Sequence, residues 1–442
     1  MPFVPAQTEV DLGGVSVSTW TYGNQVPGPE IRLRKGQRLQ APLTNNLPEP
    51  TTIHWHGLAL PNPMDGVPDL TQVATQPGQQ FDYDFVPPDS GTYWYHSHVG
   101  TQLDRGLYGP LIIEEPADGA DYDDELVVVL DDWIDGTGTN PDQVAAELRK
   151  TGMAPMTDMG PDAGITPKTP MGADGGDVAY PYYLINGRIA NGPQVKNYRF
   201  GQRIRLRVIN AASDTVFVVG IPEHNMLVTH TDGFPVVARE ADSVIMGMGE
   251  RFDATVTVES SVPLVAVAYR KDGFARLNMR VDNRATTVNV DDFATQLANT
   301  SPLDTATLVA TPEVNLPAGD PDQVVEWRLA GPGKGYEWTI NGQAYDPSNG
   351  YRVEPNRRVR IRYVNESKMV HPMHLHGHTF QVMAENRAAG QLLVPKARKD
   401  TVLVAPLATV VVDIDTDNPG KWITHCHNTY HLESGMATFF HY

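Results

Sequence analysis

Histidine pairs stand out along this 442-residue chain because their spacing suits metal binding. Two histidines with one residue between them point to the same face of a β-strand, so their imidazoles lie side by side. Imidazole binds copper, zinc, iron and nickel. One such pair is more often hydrogen-bonded than metal-bound, but four pairs in two regions of the chain predict a metal centre. The pairs are His54 and His56, His96 and His98, His374 and His376, and His425 and His427.

The single cysteine, Cys426, lies inside the last pair. A lone cysteine is commonly a small buried apolar residue. On a strand, however, its sulfur would point away from the face that carries His425 and His427. The two faces would then hold two different metal sites. Because the ligands are adjacent residues, covalent bonds would give electrons a short path between the sites.

The residues around Cys426 indicate which metal binds there. A thiolate and two imidazoles in a trigonal arrangement, with a weak axial thioether, form a blue copper site. His431 and Met436 follow Cys426, and His371 would supply the second imidazole. Zinc would accept the same ligands, but it has no redox chemistry. The sequence therefore predicts copper, with Cys426 and His431 taking part directly in the chemistry.

A strand–turn–strand phrase that occurs three times predicts how these residues are positioned. Each copy is followed by an asparagine and then by a strand of alternating apolar and polar residues, which is typical of half-buried strands. The copies cover residues 31–39, 198–206 and 351–359; the asparagines are Asn45, Asn210 and Asn365; the later strands are 81–85, 252–258 and 410–414.

This repeat predicts an all-β chain of three β-sandwich domains, at about residues 1–117, 118–295 and 296–442. Within the middle domain, the segment 136–180 is rich in Gly, Pro, Asp and Met. We expect a long surface loop there, with one short helix from Pro141 to Lys150.

The motifs resemble those of the three-domain multicopper oxidases, in particular bacterial laccase-like members. The resemblance covers the whole chain. It implies three consecutive cupredoxin-like Greek-key β-sandwich domains, and an enzyme that takes electrons one at a time from a donor and reduces dioxygen to water. The motifs are His54-Trp55-His56-Gly57, Tyr93-Trp94-Tyr95-His96-Ser97-His98, His371-Pro372-Met373-His374-Leu375-His376-Gly377, and His425-Cys426-His427 through to Met436.

The resemblance also implies four copper ions at matching positions. A type 1 copper would bind His371, Cys426 and His431, with Met436 as axial ligand. A trinuclear cluster would lie between the first and third domains, and the middle domain would hold no ligand. In the trinuclear cluster, the type 2 copper would bind His54 and His374. One type 3 copper would bind His56, His96 and His427, and the other would bind His98, His376 and His425. The other histidines, His224, His230, His378 and His441, are predicted to be structural.

Members of this family need an acid near the cluster to deliver protons to reduced oxygen. Asp65, in the segment Met64-Asp65-Gly66-Val67-Pro68, resembles the residue that supplies it in many laccases. The ordinary alternative for an Asp-Gly pair is a turn. Some bacterial members carry a glutamate directly after the type 1 histidine, but here that position is Leu432 and Glu433 comes one residue later. Asp65 is therefore the predicted acid.

Charge and composition narrow the range of partners. A net charge of −19 repels nucleic acid and anionic lipid, so neither is an expected partner. No apolar run is long enough to span a membrane. The first residues do not form a signal peptide, yet the family and its reactive copper predict export to the periplasm or the exterior, with the signal segment absent from this chain. We expect a monomer.

The reducing substrate is open between two classes. The first is a phenol or an aromatic amine, whose electrons would enter at an exposed His431. The second is Cu(I) or another metal ion, because Met153, Met156, Met159 and Met171 lie in the long loop and thioethers bind Cu(I). A third hypothesis, a non-catalytic scaffold on the same fold, requires the loss of copper ligands, and every predicted strong ligand is present.

Overall fold

A computed structural model describes residues 1–115, 121–152, 162–317, 319–386 and 392–442. Strands dominate throughout and helices are short, as the alternating patterns predict. The fold is all-β and cupredoxin-like, which confirms the predicted fold class. No helix in the described ranges has the length and apolar character needed to cross a membrane.

The N-terminal strands form one four-stranded sheet and two two-stranded sheets. The four-stranded sheet has the order β3-β8-β7-β5, and the small sheets are β1-β2 and β4-β6. The strands are β1 (Pro5–Asp11), β2 (Ser16–Tyr22), β3 (Ile31–Arg34), β4 (Leu39–Thr44), β5 (His54–His56), β6 (Gln80–Phe85), β7 (Gly91–His96) and β8 (Tyr108–Glu114).

The middle strands form a seven-stranded and a six-stranded sheet. Their strands are β9 (Asp124–Trp133), β10 (Tyr182–Ile185), β11 (Arg188–Ile189), β12 (Val195–Tyr198), β13 (Gln202–Asn210), β14 (Phe217–Gly220), β15 (Met226–Thr231), β16 (Phe234–Ala241), β17 (Ser243–Met246), β18 (Arg251–Val258), β19 (Val262–Ala268), β20 (Phe274–Val281) and β21 (Leu303–Asp304). The seven-stranded order is β11-β10-β9-β13-β18-β15-β16, and the six-stranded order is β12-β20-β19-β14-β17-β21.

The C-terminal strands form a six-stranded and a five-stranded sheet. Their strands are β22 (Gln323–Ala330), β23 (Thr339–Ile340), β24 (Tyr351–Arg352), β25 (Arg358–Asn365), β26 (His371–Leu375), β27 (Phe380–Asn386), β28 (Leu392–Lys399), β29 (Thr401–Val404), β30 (Thr409–Asp415), β31 (Lys421–Cys426) and β32 (Ala437–His441). The orders are β23-β22-β25-β30-β27-β28 and β24-β32-β31-β26-β29. The domain boundaries stay predictions; β21, beyond residue 295, pairs with the middle strand β17.

The three repeated phrases adopt one local structure, as predicted. In each copy the first strand pairs in parallel with a later strand: β3 with β8, β12 with β20, and β24 with β32. The following asparagine closes a corner. Its side-chain oxygen accepts a hydrogen bond from the backbone N–H two residues later, and its amide donates to backbone carbonyls. This arrangement satisfies buried polar groups where the chain leaves the strand.

Helices occupy only a few positions. Besides short 3-10 turns, the helices of the described residues are α1 (Pro141–Thr151), α2 (Val290–Leu297) and α3 (Thr429–Leu432). The first confirms the helix predicted inside segment 136–180, and Asn140 and Gln143 form a capping box at its start. Met153, Met156 and Met159 lie outside the described residues, whereas Met171 is buried in the core.

A buried ion cluster joins the middle and C-terminal strands. The guanidinium of Arg251 donates to both carboxylate oxygens of Asp400, at 2.7 and 2.6 Å, and neither side chain is exposed. Beside them, the ammonium of Lys399 lies 3.1 Å from carboxylate oxygens of Asp232 and Glu250. Buried charges of this kind are tolerated only when they are paired, so the cluster sets how the two regions pack.

Replacing Arg251 by Met should lower the free energy of unfolding of the metal-free protein by about 3–5 kcal/mol, because Asp400 is left buried without its partner. Urea denaturation followed by tryptophan fluorescence measures the change. The control is Arg352→Met, which removes an exposed ion pair with Glu354 and should cost less than about 1 kcal/mol. Equal losses in the two variants would contradict the role given to the cluster.

Candidate metal centres

Four of the predicted histidines lie on or beside two paired strands of the N-terminal sheet. Strands β5 and β7 run antiparallel, with His54 opposite His96 and His56 opposite Trp94. Strand alternation therefore places His54 and His56 on one face, as predicted. His98 follows β7 and is the one partly exposed imidazole of the four.

A second pair of strands brings the C-terminal histidines to the same place. Strands β26 and β31 run antiparallel, with His374 opposite His425 and Met373 opposite Cys426. The backbone N–H of His427 continues this pairing by donating to the carbonyl of Pro372. Because β31 alternates, the Cys426 sulfur and the two neighbouring imidazoles occupy opposite faces.

The imidazoles of the two strand pairs interleave. The ring of His54 stacks on that of His376, and the ring of His56 stacks on that of His374, both at a centroid distance of 3.8 Å. Ring nitrogens approach one another across the gap. The pairs are His56 Nδ1 with His427 Nε2 at 3.2 Å, His376 Nε2 with His425 Nε2 at 3.1 Å, and His98 Nε2 with His425 Nε2 at 3.4 Å.

Unpartnered ring nitrogens show that this cluster fits metal ions. Buried polar atoms are normally hydrogen-bonded. Here several buried imidazole nitrogens have no hydrogen-bond partner in the structure, although the opposite nitrogen of His54 and of His374 is hydrogen-bonded to a carbonyl. Such a set of lone pairs suits metal ions. The atoms are His54 Nε2, His96 Nε2, His374 Nε2 and His427 Nδ1.

Two aspartates, Asp65 and Asp400, form hydrogen bonds with imidazoles of the cluster. Asp65 is buried, and its carboxylate lies 3.0 Å from Nδ1 of His376, while its backbone carbonyl lies 2.8 Å from Nδ1 of His54. Asp400 lies 3.1 Å from Nε2 of His56, and its backbone carbonyl lies 2.9 Å from Nδ1 of His374. Contacts of this kind fix the ring orientation and tautomer of metal-binding histidines.

Burial and neighbouring charges shift the pKa of Asp400 and of the clustered imidazoles. Burial alone would raise the pKa of Asp400, but the Arg251 guanidinium more than offsets it, and the pKa lies well below its usual range. Asp400 is therefore a permanent carboxylate beside His56 and His374. Burial lowers the pKa of the clustered imidazoles, and neighbouring imidazoles lower it further in each case. This holds for His56, His96, His98, His371, His374, His376, His425 and His427.

On the opposite face of β31, three donor atoms form a triangle. Cys426 Sγ lies 3.6 Å from Nδ1 of His371 and 3.6 Å from Nδ1 of His431, and the two nitrogens are 3.2 Å apart. A metal ion bound in one plane, about 2.3 Å from sulfur and about 2.0 Å from each nitrogen, would hold its donors about 3.7 and about 3.5 Å apart. The triangle therefore fits one ion. Met436 is fully buried, its carbonyl accepts a hydrogen bond from the backbone N–H of Cys426, and its own backbone N–H donates to the carbonyl of His431.

The expectation that His431 is exposed is wrong. Its side chain is fully buried. Its Nε2 lies 2.8 Å from Oδ2 of Asp177, and the ring of Trp338 lies against it at a centroid distance of 3.9 Å. The hydroxyl of Tyr336 donates to the same Asp177 oxygen. The short helix α3 turns His431 inward, and these side chains cover it.

Most of the predicted ligands meet in groups, two of which match predicted sets, whereas His427 lies in none of the groups among the described residues. Donor atoms of His98, His376 and His425 lie together, as do those of His371, Cys426 and His431. Two further groups share His54. One consists of His54, His56 and His96, and the other of His54, His374 and His376. The ligand roles stay predictions.

The histidines predicted to be structural lie in none of these groups among the described residues. His224 Nδ1 is 2.7 Å from the carbonyl of Pro222, and His230 Nδ1 is 3.0 Å from the hydroxyl of Thr229. His378 lies next to the cluster in sequence, but its Nε2 is 2.7 Å from the hydroxyl of Tyr442.

Sequence reasoning did not find Asp177, Asp400, Tyr336 or Trp338. Asp177 lies in a segment without periodicity, and Asp400 follows a strand without a recognisable motif. Their partners are between 26 and 344 residues away along the chain. No local pattern signals such contacts.

Three family models described as multicopper oxidase match residues 5–118, 124–264 and 319–442. Together they span most of the chain and include both groups of histidines. The chain belongs to the multicopper oxidase family. It is therefore an oxidoreductase that uses dioxygen as electron acceptor, and its metal is copper.

Relatives in this family carry several names. Multicopper oxidase MmcO of Mycobacterium tuberculosis is 43% identical over 438 residues, which is 98% of this chain and 85% of that protein. A copper resistance protein A homolog of Pseudomonas syringae pv. tomato is 28% identical, over 97% of this chain and 90% of its own length. The crystal structure of the laccase from Botrytis aclada has a TM-score of 0.80 and 26% identity, over 99% of this chain and 86% of that chain.

The imidazoles with lowered pKa should stay neutral in metal-free protein at pH values at which free imidazole, whose pKa is about 6.5, is already protonated. Each of these histidines makes the folded protein less stable as the pH falls below the pKa of free imidazole, because the unfolded chain then binds a proton that the folded chain does not. Histidine-selective NMR titration of the metal-free protein measures this, with urea-unfolded protein as reference. Clustered imidazoles that titrate near their ordinary pKa would contradict the effect of burial.

Asp400→Asn should weaken copper binding by about 10–100-fold, because it disturbs the hydrogen bonds behind two imidazoles. Competition with a copper chelator measures the affinity. The matched control is Asp253→Asn, since Asp253 is also buried and paired with Arg205 and Arg207 but touches no clustered histidine. The control should lose stability without losing copper affinity, and equal copper losses in both would exclude a specific role for Asp400.

Proposed function

We propose that this protein is a laccase-like multicopper oxidase, which removes single electrons from phenols or aromatic amines and reduces dioxygen to water. A type 1 copper would bind His371, Cys426 and His431, with Met436 as axial ligand. A type 2 copper would bind His54 and His374. Two type 3 coppers would bind the remaining imidazoles, His56, His96 and His427 for one ion and His98, His376 and His425 for the other.

The triangle of one sulfur and two nitrogens carries this proposal. Its sides of 3.6, 3.6 and 3.2 Å suit one ion in a planar set of donors, and all three side chains are buried. A thiolate with two imidazoles is the donor set that blue copper uses. On the other face of the same strand lie His425 and His427, which belong to the cluster. Adjacent residues therefore connect the two sites.

When bound, the copper ions would supply one-electron chemistry at the triangle and four-electron chemistry at the cluster. Residues of this chain keep the imidazoles neutral, orient them and exclude water. Burial keeps the imidazoles neutral and able to bind metal. Asp400 and Asp65 orient His374 and His376, respectively. The chain around Cys426 excludes water, since the cysteine side chain is fully buried.

Asp65 is the proposed proton donor for the reduction of dioxygen. Its carboxylate is buried and lies within hydrogen-bond distance of His376 Nδ1, at the edge of the cluster. A general acid must lie this close to the reacting atoms, or one water away from them. Gly66, beside it, has a positive φ of 86° and no room for a side chain, because an added Cβ would meet the carbonyl of Ile53. The turn therefore holds Asp65 in place.

A cleft near His431 supports an aromatic donor. Its volume is about 590 Å³, which is within the usual range for small-molecule sites. Tyrosines and aliphatic side chains line it, including Tyr336, Tyr345, Val67 and Leu432. The cleft is lined by two basic and two acidic residues, so its formal charges cancel. They are Arg149, Lys334, Glu337 and Glu433. Such a wall suits a neutral ring better than a metal ion.

Oxidation of Cu(I) or another metal ion is the alternative, and the similarity to copper resistance protein A favours it. Of the methionines that suggested it, Met171 is a core residue whose backbone N–H donates to the hydroxyl of Tyr269. The others lie outside the described residues. Export and a monomeric state, both expected from the family, stay predictions.

Cys426→Ser should remove the intense blue absorption of the copper-loaded protein and abolish oxidation of a dimethoxyphenol, because the copper–thiolate bond is lost. Copper content should fall from about four ions to about three per chain, since the cluster keeps its imidazoles. His224→Gln is the control, because that imidazole contacts the carbonyl of Pro222 and the backbone N–H of Glu259, which lie outside the cluster. Full activity or four bound ions in Cys426→Ser would overturn the proposal.

The donor is identified by comparing initial rates of dioxygen consumption with a dimethoxyphenol and with Cu(I). A phenol rate that saturates at low donor concentration supports the laccase-like function. A rate with Cu(I) alone, and none with phenols or aromatic amines, supports the metallo-oxidase.

A further inference from the structure

A turn from the middle region reaches the histidine cluster, although that region contributes no clustered histidine among the described residues. The turn covers residues 247–250, between strands β17 and β18. Within it, Gly249 has a positive φ of 87°. A Cβ added there would lie 2.9 Å from Cε1 of His56 and 2.9 Å from Cδ2 of His427. Gly249 therefore lies directly against the edges of two imidazoles that come from opposite ends of the chain.

We propose that Gly249 is a positioning residue for the copper cluster, whose lack of a side chain sets the spacing between the imidazoles of His56 and His427. Nδ1 of His56 and Nε2 of His427 are 3.2 Å apart. Two nitrogens that bind one ion at about 2.0 Å lie about 3.3–3.5 Å from each other. A small displacement of either ring would therefore spoil the fit. This inference rests on the copper ligand roles proposed for His56 and His427.

Hydrogen bonds on several sides fix the backbone of this turn. The N–H of Gly249 donates to the carbonyl of Asn210 at 2.9 Å, and its carbonyl accepts from the guanidinium of Arg251 at 3.0 Å. The carboxylate of Glu250 accepts from the first N–H of the turn at 2.7 Å and lies 3.1 Å from the ammonium of Lys399. All four residues of the turn are buried. An added side chain would therefore displace the imidazoles and not the turn.

Arg251 connects the turn to the far side of the His56 ring. Its Nη1 donates both to the carbonyl of Gly249, at 3.0 Å, and to Oδ1 of Asp400, at 2.7 Å. The same Asp400 oxygen lies 3.1 Å from Nε2 of His56. The imidazole is thus held between a carboxylate and a backbone edge that share one guanidinium. A rotation of the ring away from a larger residue at position 249 would break its contact with Asp400.

The positive φ of Gly249 gives a second reason for glycine at this position, since glycine adopts such angles without steric cost. Gly201, with a φ of 75°, is a turn of that kind, because an added Cβ would meet no atom within 4 Å. At Gly249 the space is closed by two rings. Inserting a methyl group into packed space forces neighbouring side chains to shift. Ring contact and backbone strain therefore predict different outcomes for asparagine, which tolerates a positive φ but carries a larger side chain.

The test compares Gly249→Ala and Gly249→Asn with Gly273→Ala. Gly273 is the matched control, because its φ is 123° and an added Cβ would lie 2.7 Å from the ring of Tyr183, which is not an imidazole of the cluster. Competition with a copper chelator measures how tightly the histidine cluster holds copper, and the blue absorption reports the Cys426 site separately. Urea denaturation of the metal-free variants measures their free energy of unfolding.

Gly249→Ala should weaken copper binding by the histidine cluster about 10–100-fold, which is the loss typical when the support of metal-binding histidines is disturbed. Its blue absorption should remain, because the added methyl group faces the other site. Gly249→Asn should bind copper no more tightly than Gly249→Ala, since ring contact and not backbone strain decides the effect. Gly273→Ala should keep the wild-type copper affinity.

Wild-type copper affinity in Gly249→Ala would overturn the proposal. Recovery of that affinity in Gly249→Asn would also overturn it, because backbone strain would then be the cause. Loss of the blue absorption together with the copper of the cluster would overturn it as well, since the substitution would then act on the whole fold. A wild-type protein that binds copper but oxidises no phenol would count against the proposed function and not against Gly249, because copper affinity is measured without a donor.

A second measurement needs no variant. In metal-free wild-type protein with isotope-labelled glycine and histidine, nuclear Overhauser contacts report which protons lie close together. We expect contacts from the Cα protons of Gly249 to the Cε1 proton of His56 and to the Cδ2 proton of His427, the two ring carbons that an added Cβ would meet. Absence of both contacts would overturn the proposal even if the variants failed to fold.

Discussion

The alternation of side chains along one strand, at residues 425–427, underlies the arrangement of the whole molecule. Successive side chains on a strand point to opposite faces. The Cys426 sulfur therefore faces the imidazoles of His371 and His431, while His425 and His427 face the histidine cluster, and covalent geometry sets the separation between these two groups of donor atoms. A helix at this position would turn the three side chains through a continuous arc and would not divide them in this way.

Completing the cluster requires a second strand pair from the far end of the chain. His54 and His56 stack on His376 and His374, so the cluster is incomplete without either half of the chain. The middle strands contribute no clustered histidine among the described residues, but they supply Arg251, which neutralises Asp400 behind the cluster. The middle region thus acts on the site through charge and packing. Its ion cluster with Lys399 fixes the position of strand β29 beside β26.

The covering of His431 has a related physical cause. A metal site that exchanges electrons with small molecules needs access, but a buried low-dielectric site keeps its ligands ordered and water out. Here Asp177 from the middle region and Tyr336 and Trp338 from the C-terminal region close over the imidazole. Because Asp177 comes from a different region of the chain than His431, the covering of the imidazole depends on how the two regions pack.

Local patterns were sufficient to predict much of this protein. Period-2 alternation identified the strands after each repeat, and the recurring asparagines were found at equivalent corners. The helix from Pro141 was predicted within one residue of its observed end. These features depend on residues a few positions apart, whose geometry is set by the backbone. The expected exposure of His431 failed because exposure depends on segments that are distant in the chain.

The sequence by itself determined the donor types, their spacing along strands and hence the face each would occupy, because bond geometry within a strand leaves few alternatives. Only the tertiary structure decided which imidazoles meet, which carboxylates stand behind them, and that Asp177, Tyr336 and Trp338 enclose His431. Those contacts join residues separated by tens to hundreds of positions, and they arise from the packing of sheets and the pairing of buried charges, which no local pattern encodes.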